Sequence, residues 1–334
     1  MYQLVSIITP TYNQEEVIEE CLVSVLSQTY RNWEMYVVDD GSTDATADIV
    51  AKYAAMDHRI KLLRLSHRGI YKLAETYNAA LSRIQGILVA ICEGDDYWPP
   101  EKLDIQVSLH DDPDVIFSHG VVSLVVDGKV SGTFPRPPSL GIVSTEDYLE
   151  WALLKTDAIA AVSAMIRRDA LDRIGGFWQH DGVPAVDYST WPRLFQLPGK
   201  VAYTKCCVGY WRRSASQVTS ALAVTLVQGD LPIATDQYLH LDEQIKERLN
   251  TTLQEIQEMA HLRILRIALT ERSRLVAFQE AKILLTIGSL KNRILALVGI
   301  VLNVLRRDFT MFDVAMQVLV SRVPGHRMSN GGRR

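Results

Sequence analysis

The sequence predicts an α/β protein, with a mostly parallel sheet flanked by helices and an α-helical region appended behind it. Three observations carry this expectation. Strand-like and helix-like patterns alternate through short connections over roughly the first ninety residues. Each strand-like run ends in polar or acidic residues, as the strands of an open α/β sheet do at the edge that meets a ligand. Beyond about residue 222 the pattern changes to continuous helix-forming sequence. The expected division is a first domain over 1–221 and a helical region over 222–334.

The elements follow in order. Val5 to Pro10 reads as a strand closed by proline, and a helix pattern runs from Glu15 to Gln28 with Val17, Ile18, Leu22, Val25 and Leu26 on one face. Glu34 to Val38 is a second strand, ending in Asp39-Asp40-Gly41-Ser42-Thr43-Asp44. There Gly41 permits a tight turn, and Ser42 or Thr43 is placed to cap a helix over Ala45 to Tyr53. Ile60 to Leu65 makes a third strand, Ala74 to Arg83 a third helix, and Ile87 to Ile91 a fourth strand of buried character. Short strands around Phe117 to Gly120 and Ser123 to Val126 lead to a turn at Asp127-Gly128. A strand over Ala164 to Arg168, a helical turn over Leu171 to Ile174, a glycine turn at Gly175-Gly176 and a helix over Tyr188 to Phe195 come next, then a strand from Val208 to Arg213. The parallel arrangement brings Thr9, Tyr12, Asp39, Asp40, Asp95 and Asp96 to one edge, as wide as a nucleotide.

Cys92-Glu93-Gly94-Asp95-Asp96-Tyr97-Trp98, directly after the fourth strand, is the most telling run. Carboxylates that close repel one another, and a divalent cation turns the repulsion into attraction; hard oxygen ligands suit Mg2+ or Mn2+. Composition is compatible with such a site and narrows the rest. The 48% hydrophobic content over 334 residues supports one sizeable core plus an appendage, and a net charge of −4 provides no basic field for nucleic acid. Four cysteines (Cys21, Cys92, Cys206, Cys207) show neither zinc spacing nor a disulfide framework, which fits a reducing compartment. The first strand begins at Val5, leaving no room for a signal peptide, and no apolar run approaches the ~20 residues that span a bilayer.

The runs IITPTYNQEE, VVDDGSTDAT and NAALSRIQGILVAICEGDDYWPPEKL, in this order and spacing, resemble the nucleotide-sugar-binding half of family 2 glycosyltransferases, inverting enzymes with a GT-A fold. The likeness covers roughly residues 4–215. It implies a nucleotide-diphospho-sugar donor, Mn2+ or Mg2+, and transfer of the sugar to a hydroxyl of a saccharide or lipid-linked acceptor in surface polysaccharide or glycan assembly. Pro10, Tyr12, Asp39, Asp40, Asn78, Glu93 and Asp95 fall on the donor-nucleotide positions. Tyr12 is placed as the base's flat wall or as a structural aromatic, and Asp40 as acceptor for a ring N–H. Asp39 is placed to contact ribose or to cap the turn, and Asn78 to form wall near the donor. Asp44 reads as a structural helix-start acid. Asp95 and Asp96 lead as metal ligands. Glu93, standing where the family most often has aspartate, is left to hold metal, ribose or a loop amide.

Inversion requires a base opposite the leaving group. Asp187 stands at that position of the resemblance, and it also reads as the N-cap of the helix that follows. The Glu that commonly precedes it in the family is Val186 here. Trp98, His180, Arg212 and Arg213 are candidate diphosphate or acceptor contacts. The bland readings are a rigid Trp98-Pro99-Pro100 loop and a solvated loop at His180-Asp181. Ser214, Ser216 and Ser220 follow the basic pair. The Gln-x-x-Arg-Trp motif of processive members is missing, since Trp211-Arg212-Arg213 has the wrong order; addition of a single sugar is expected.

Other classes fare worse. A dinucleotide dehydrogenase needs a Gly-x-Gly-x-x-Gly turn where this chain has Pro10-Thr11-Tyr12-Asn13. A sugar nucleotidyltransferase needs a glycine- and basic-rich loop that is missing too. A binding protein without activity stays open because of Val186. Behind the first domain, long amphipathic helix patterns cover Leu239 to Leu285. Ala281 to Asp308 reads as one basic amphipathic helix with Leu284, Ile287, Leu290, Ile294, Leu297, Val298, Val301 and Leu305 on its apolar face. Two readings are open for it: contact with an anionic membrane surface at the inner face of the cell membrane, or a packing or homodimer surface. The run Arg327 to Arg334 is expected to be disordered. A cytoplasmic enzyme is the expected setting.

Overall fold

The computed structural model describes residues 3–134, 141–154, 159–213 and 222–305. The chain divides into two compact units, Met1–Ala221 and Leu222–Arg334.

In the first unit the strands β1 (Val5–Thr11), β2 (Trp33–Asp39), β3 (Ile60–Arg64) and β4 (Leu88–Ile91) are all parallel. Helices α1 (Ile18–Leu26), α2 (Thr46–Met56) and α3 (Leu73–Leu81) connect them. All seven residues of β1 and all four of β4 are buried, as expected of strands covered on both faces. The register pairs Thr11 with Asp39 and Ile8 with Ile91, so the carboxyl ends of β1, β2 and β4 lie side by side. Backbone bonds then seat the turns on that edge: Asp40 N–H donates to the Thr11 carbonyl at 2.9 Å, and Gly94 N–H to the Pro10 carbonyl at 3.0 Å.

The remaining strands add antiparallel pairings to this parallel core. The sheet is mixed, in the order β3-β2-β1-β4-β8-β5-β9-β7, with β6 on β5. Here β5 is Val115–Val126, β6 Lys129–Phe134, β7 Gly141–Ser144, β8 Met165–Arg167 and β9 Lys200–Arg213. Strand β8 runs antiparallel to β4 and β5. The β5–β6 pair is antiparallel because two residues cannot make a parallel crossover: Asp127 (φ 49°) and Gly128 (φ 72°) form a tight turn with left-handed backbone at both positions. Strand β5 is one continuous element rather than two short ones, and β9 starts at Lys200, not Val208. The helices between them are α4 (Lys102–Leu109), α5 (Thr145–Leu154), α6 (Arg168–Arg173) and α7 (Asp187–Phe195).

Capping also differs. Neither Ser42 nor Thr43 caps α2. Ser42 Oγ accepts from Asn13 N–H at 2.9 Å and Thr43 N–H donates to Asn13 Oδ1 at 2.8 Å, lacing the loops after β1 and β2 together. Asp44 takes the helix start instead, accepting from Thr46 N–H at 3.0 Å.

Two buried histidines make stability depend on pH. His110 lies 3.0 Å from both the Val115 carbonyl and Ser118 Oγ, and His119 lies 2.9 Å from the Tyr148 hydroxyl. Burial lowers both imidazoles to about 3, helped at His110 by the nearby Arg167 charge. Unfolded histidine takes its proton near pH 6.5. Between those values the unfolded chain therefore holds more protons, and stability falls as pH falls, by about 1.4 kcal/mol per pH unit for each group. Urea midpoints measured from pH 7 to pH 4 are expected to drop steeply, and less steeply in His119→Gln.

The second unit consists of α8 (Ala223–Leu239), α9 (Glu243–Arg248), α10 (Leu253–Thr270), α11 (Arg274–Ile287) and α12 (Leu290–Leu305). Helices α10, α11 and α12 pack around Leu262, Leu265, Ala281, Leu284, Leu295 and Leu302. The long patterns are thus interrupted. Thr252 begins α10 with a reciprocal capping box to Glu255. The expected single helix over Ala281 to Asp308 is broken at Gly288-Ser289, where Glu258 accepts from Ser289 N–H at 3.0 Å and from the Asn292 amide. Apolar periodicity runs on through that break, so the pattern alone hid it. Among the described residues no helix is long and apolar enough to cross a membrane. Arg327 to Arg334 and the end of the expected helix past 305 lie outside the described residues.

Candidate active site

The site is built on the carboxyl edge of β1, β2 and β4. Tyr12, just past β1, is 40% exposed and stacks on His67 with ring centroids 4.2 Å apart. His67 belongs to the loop after β3, which Asp40 gathers in. The Asp40 carboxylate accepts from Arg68 N–H at 3.0 and 3.2 Å and from Gly69 N–H at 2.9 Å, and lies 3.1 Å from His67 Nδ1. Gly41, at φ 77°, is required here: a Cβ would meet His67 N at 2.7 Å. The sequence reading missed His67; its signal was a polar residue two positions before Gly69, just after a strand. Asp39 is fully buried, accepting from Ser42 N–H at 3.1 Å with Arg64 at 3.5 Å. It makes the turn-capping contact. Pro10 contributes the backbone carbonyl that seats Gly94.

The acidic turn after β4 is tied down from three sides. Glu93 accepts from the Tyr77 hydroxyl at 2.6 Å, and Asp96 Oδ1 from Arg212 N–H at 2.9 Å. Asp95, half-buried, accepts at its backbone carbonyl from Arg212 Nε at 2.9 Å. Burial and the Asp95 charge raise Glu93 to about 7 and push Asp96 well above the usual carboxylate range. Asp187 adds to the crowding, since its charge also raises Glu93 and Tyr77. Glu93, Asp96 and Asp187 all act on Tyr77, and with Asp95 on the same turn they make a set of oxygen donors of the chemistry that a hard divalent cation takes. Among the described residues no three such groups are gathered closely enough to hold a metal as they stand.

Asp187 is the first residue of α7 rather than its cap. Val186 occupies the capping position, and the Asp187 carboxylate accepts from Tyr188 N–H at 2.9 Å. The loop before it is held by contacts that the sequence reading also missed. Asn78 clamps the backbone of Phe177, donating to its carbonyl and accepting from its N–H at 2.8 Å each. This works because Gly176 (φ 94°) has no Cβ, which would lie 2.5 Å from Asn78 Oδ1. Gln179 bridges the Ile70 and Val183 carbonyls at 2.7 and 2.9 Å and accepts from Ala74 N–H at 3.0 Å. His180 is half-buried, its N–H donating to Ser189 Oγ at 3.0 Å and its ring 3.0 Å from the Asp181 carbonyl. Asn78 therefore connects α3 to the Asp187 loop.

Two of the expected contact residues have partners within the protein. Trp98 does not line an open pocket: it is 2% exposed, donates to the Val162 carbonyl at 3.0 Å, and carries the buried Lys102 ammonium 4.1 Å over its ring. Arg212 holds the acidic turn instead of reaching outward, because Tyr97 and Tyr210 bridge β9 to that turn and direct its guanidinium onto the Asp95 carbonyl and Glu20. Arg213 lies over Trp211 at 4.7 Å. Ser214, Ser216 and Ser220 lie outside the described residues. Arg212→Ala is expected to cost about 1–3 kcal/mol in urea unfolding, most of it from the Asp95 carbonyl, since the Glu20 end is exposed. Arg212→Lys should recover little of it, because a lysine lacks the fixed fork.

Comparison with known proteins agrees with this geometry. The sequence model of Glycosyl transferase family 2 matches residues 6–175. The putative teichuronic acid biosynthesis glycosyltransferase TuaG of Bacillus subtilis (strain 168) is 36% identical over 172 residues, 51% of this chain and 65% of that protein, just under two thirds of its length. The UDP-Glc:alpha-D-GlcNAc-diphosphoundecaprenol beta-1,3-glucosyltransferase WfgD of Escherichia coli is 32% identical over 220 residues, 65% of this chain and 80% of that one. The crystal structure of S. aureus TarS in complex with UDP-GlcNAc superimposes with a TM-score of 0.60 at 17% identity, covering 95% of this chain and 91% of the other. The fold is the GT-A type with helices appended.

Proposed function

Because the chain belongs to glycosyl transferase family 2, we propose that it moves a single sugar from a uridine-diphospho-sugar to a hydroxyl of a lipid-linked saccharide, with inversion, in the assembly of a surface polysaccharide. The observation that carries this reading is the edge itself. A stacked Tyr12–His67 wall with Asp40 stands at one end, and the crowded carboxylates Glu93, Asp95 and Asp96 with Asp187 stand at the other. The donor class and the lipid carrier come from the name of the WfgD relative.

In this reading Tyr12 and His67 hold the base, and Asp40 fixes the loop that carries His67. Asp95 and Asp96 would lead the ligands for Mn2+ or Mg2+, with Glu93 behind them, and the bound cation would stabilise the charge growing on the departing diphosphate. Asp187 takes the acceptor hydroxyl's proton, held in place by the start of α7 and by the loop that Asn78 and Gln179 fasten. A lipid-linked acceptor puts the reaction at a membrane surface, and four free thiols fit its reducing, cytoplasmic side. The catalytic domain is the first unit and the helical unit is its membrane or subunit contact.

The test is a transfer assay with a panel of nucleotide-sugars and a diphospholipid-linked saccharide, with Mn2+ or with chelator. Product with an inverted anomeric centre is the expected result. A cognate donor at a hundredfold excess over its Kd should add about 2.7 kcal/mol of stability. Donor binding without transfer to any acceptor would make the chain a binding protein, and neither binding nor transfer would overturn the reading.

A further inference from the structure

Helix α12 is apolar on two faces. One face, with Leu295, Ala296 and Leu302, closes the core of the helical unit. The other carries Leu290, Ile294, Leu297 and Val301, which are 77%, 43%, 52% and 53% exposed. At 100° per residue these four fall within an arc of about 60°, a single stripe along the helix. Lys291 and Arg293 flank the stripe on either side, both exposed, and no acidic residue occurs between Leu290 and Asn303. The Arg293 guanidinium donates to the Gly288 carbonyl at 2.7 Å, which anchors its positive charge beside the stripe. The stripe is thus exposed apolar surface bordered on both sides by basic side chains.

We propose that this face of α12 rests on an anionic phospholipid surface, the stripe entering the boundary between headgroups and acyl chains and the two basic residues meeting lipid phosphates. Charge and area both select this occupant. The flanks are basic with no acid between them, so a second copy of this face offers Lys291 and Arg293 no carboxylate to pair with, whereas anionic headgroups offer phosphates. The stripe from Leu290 to Val301 is about 17 Å long and about 10 Å wide, roughly 170 Å², against the ~800 Å² per partner of a stable protein interface. A helix of 16 residues also lies along a membrane more readily than it spans one. This surface would serve the lipid-linked acceptor proposed above and rests on that reading for its purpose alone.

The experiment is co-sedimentation of the full chain with phosphatidylglycerol vesicles and with neutral phosphatidylcholine vesicles, alongside the double variant Leu290→Ser, Leu297→Ser. Donor turnover and Tm are followed in both proteins. The native chain should bind the anionic vesicles, and less well as salt rises. The variant should lose about tenfold or more in binding. Its Tm and donor turnover should stay unchanged, because both side chains are exposed. Equal binding by the two proteins, or none by the native chain, overturns the proposal. So does a dimer in light scattering that the double variant dissociates, which would assign the stripe to a second copy. Vesicle binding without any donor turnover would strike the glycosyl-transfer reading and leave the lipid face standing.

Discussion

Replacing Asp95 and Asp96 together by Asn is expected to reduce transfer by about three orders of magnitude or more, since a cation's charge on a departing diphosphate amounts to several kcal/mol. The folded protein should tolerate the change. Asp96 is buried, and its surroundings already favour the neutral acid. An amide there keeps an oxygen for the Arg212 N–H, so the turn retains its anchor. Asp95 engages Arg212 through its backbone carbonyl, which the substitution leaves in place. Turnover, the Mn2+ dependence of donor binding and Tm should be measured together. Near-normal turnover in the double variant would show that these carboxylates do not hold the ion. A collapse in Tm would mean that the turn needs its charge to fold.

Asp187→Asn is expected to lower kcat by about 10² to 10⁴, the usual contribution of a positioned base, while leaving the donor KM near its native value. The substitution preserves the contact that starts α7, because the Asn carbonyl can accept from Tyr188 N–H as the carboxylate does. What it removes is the proton acceptor. Lost donor affinity with unchanged chemistry in the bound state would move Asp187 to the donor side. A lower Tm with full activity would make it a helix-start residue only. Asn78→Ala, which frees Phe177 and the loop leading to Asp187, is a useful companion because it disturbs the base without touching its carboxylate.

Much of the site's address was legible in the chain. Strands β1 to β4 and their helices come within a few residues of the expected bounds, because the apolar runs of β1, β2 and β4 are buried and the turns are punctuated by Pro10, Gly41 and Gly94. The tight turn at Asp127-Gly128 and the glycine turn at Gly175-Gly176 were readable for the same reason: a backbone that needs positive φ selects its residue types. Thr252-x-x-Glu255 was equally readable as a helix start, and a long apolar periodicity masked it. The length of β9 was not legible. Its first half is Lys200 to Cys207, partly exposed and without clean alternation, and it is a strand because β5 and β7 pair with it.

By itself the sequence determined the parallel core, the edge where Tyr12, Asp40 and Glu93 to Asp96 meet, and the family to which those runs belong. These depend on local pattern, since strand ends and turns are written in consecutive residues. The tertiary structure alone decided what each polar group does there. It put His67 under Tyr12, turned Arg212 onto the acidic turn, sank Trp98 beneath Lys102, tied Asn78 to the Asp187 loop, and split the last helix so that one stripe of α12 stays open. Each of these is a contact between residues far apart in the chain, except that of Trp98 with its near neighbour Lys102, whose burial is set by the Val162 carbonyl, and the last, which is set by how three helices share one core. A side chain's partner across such distances depends on which faces the packed elements present, and no pattern of neighbouring residues encodes that.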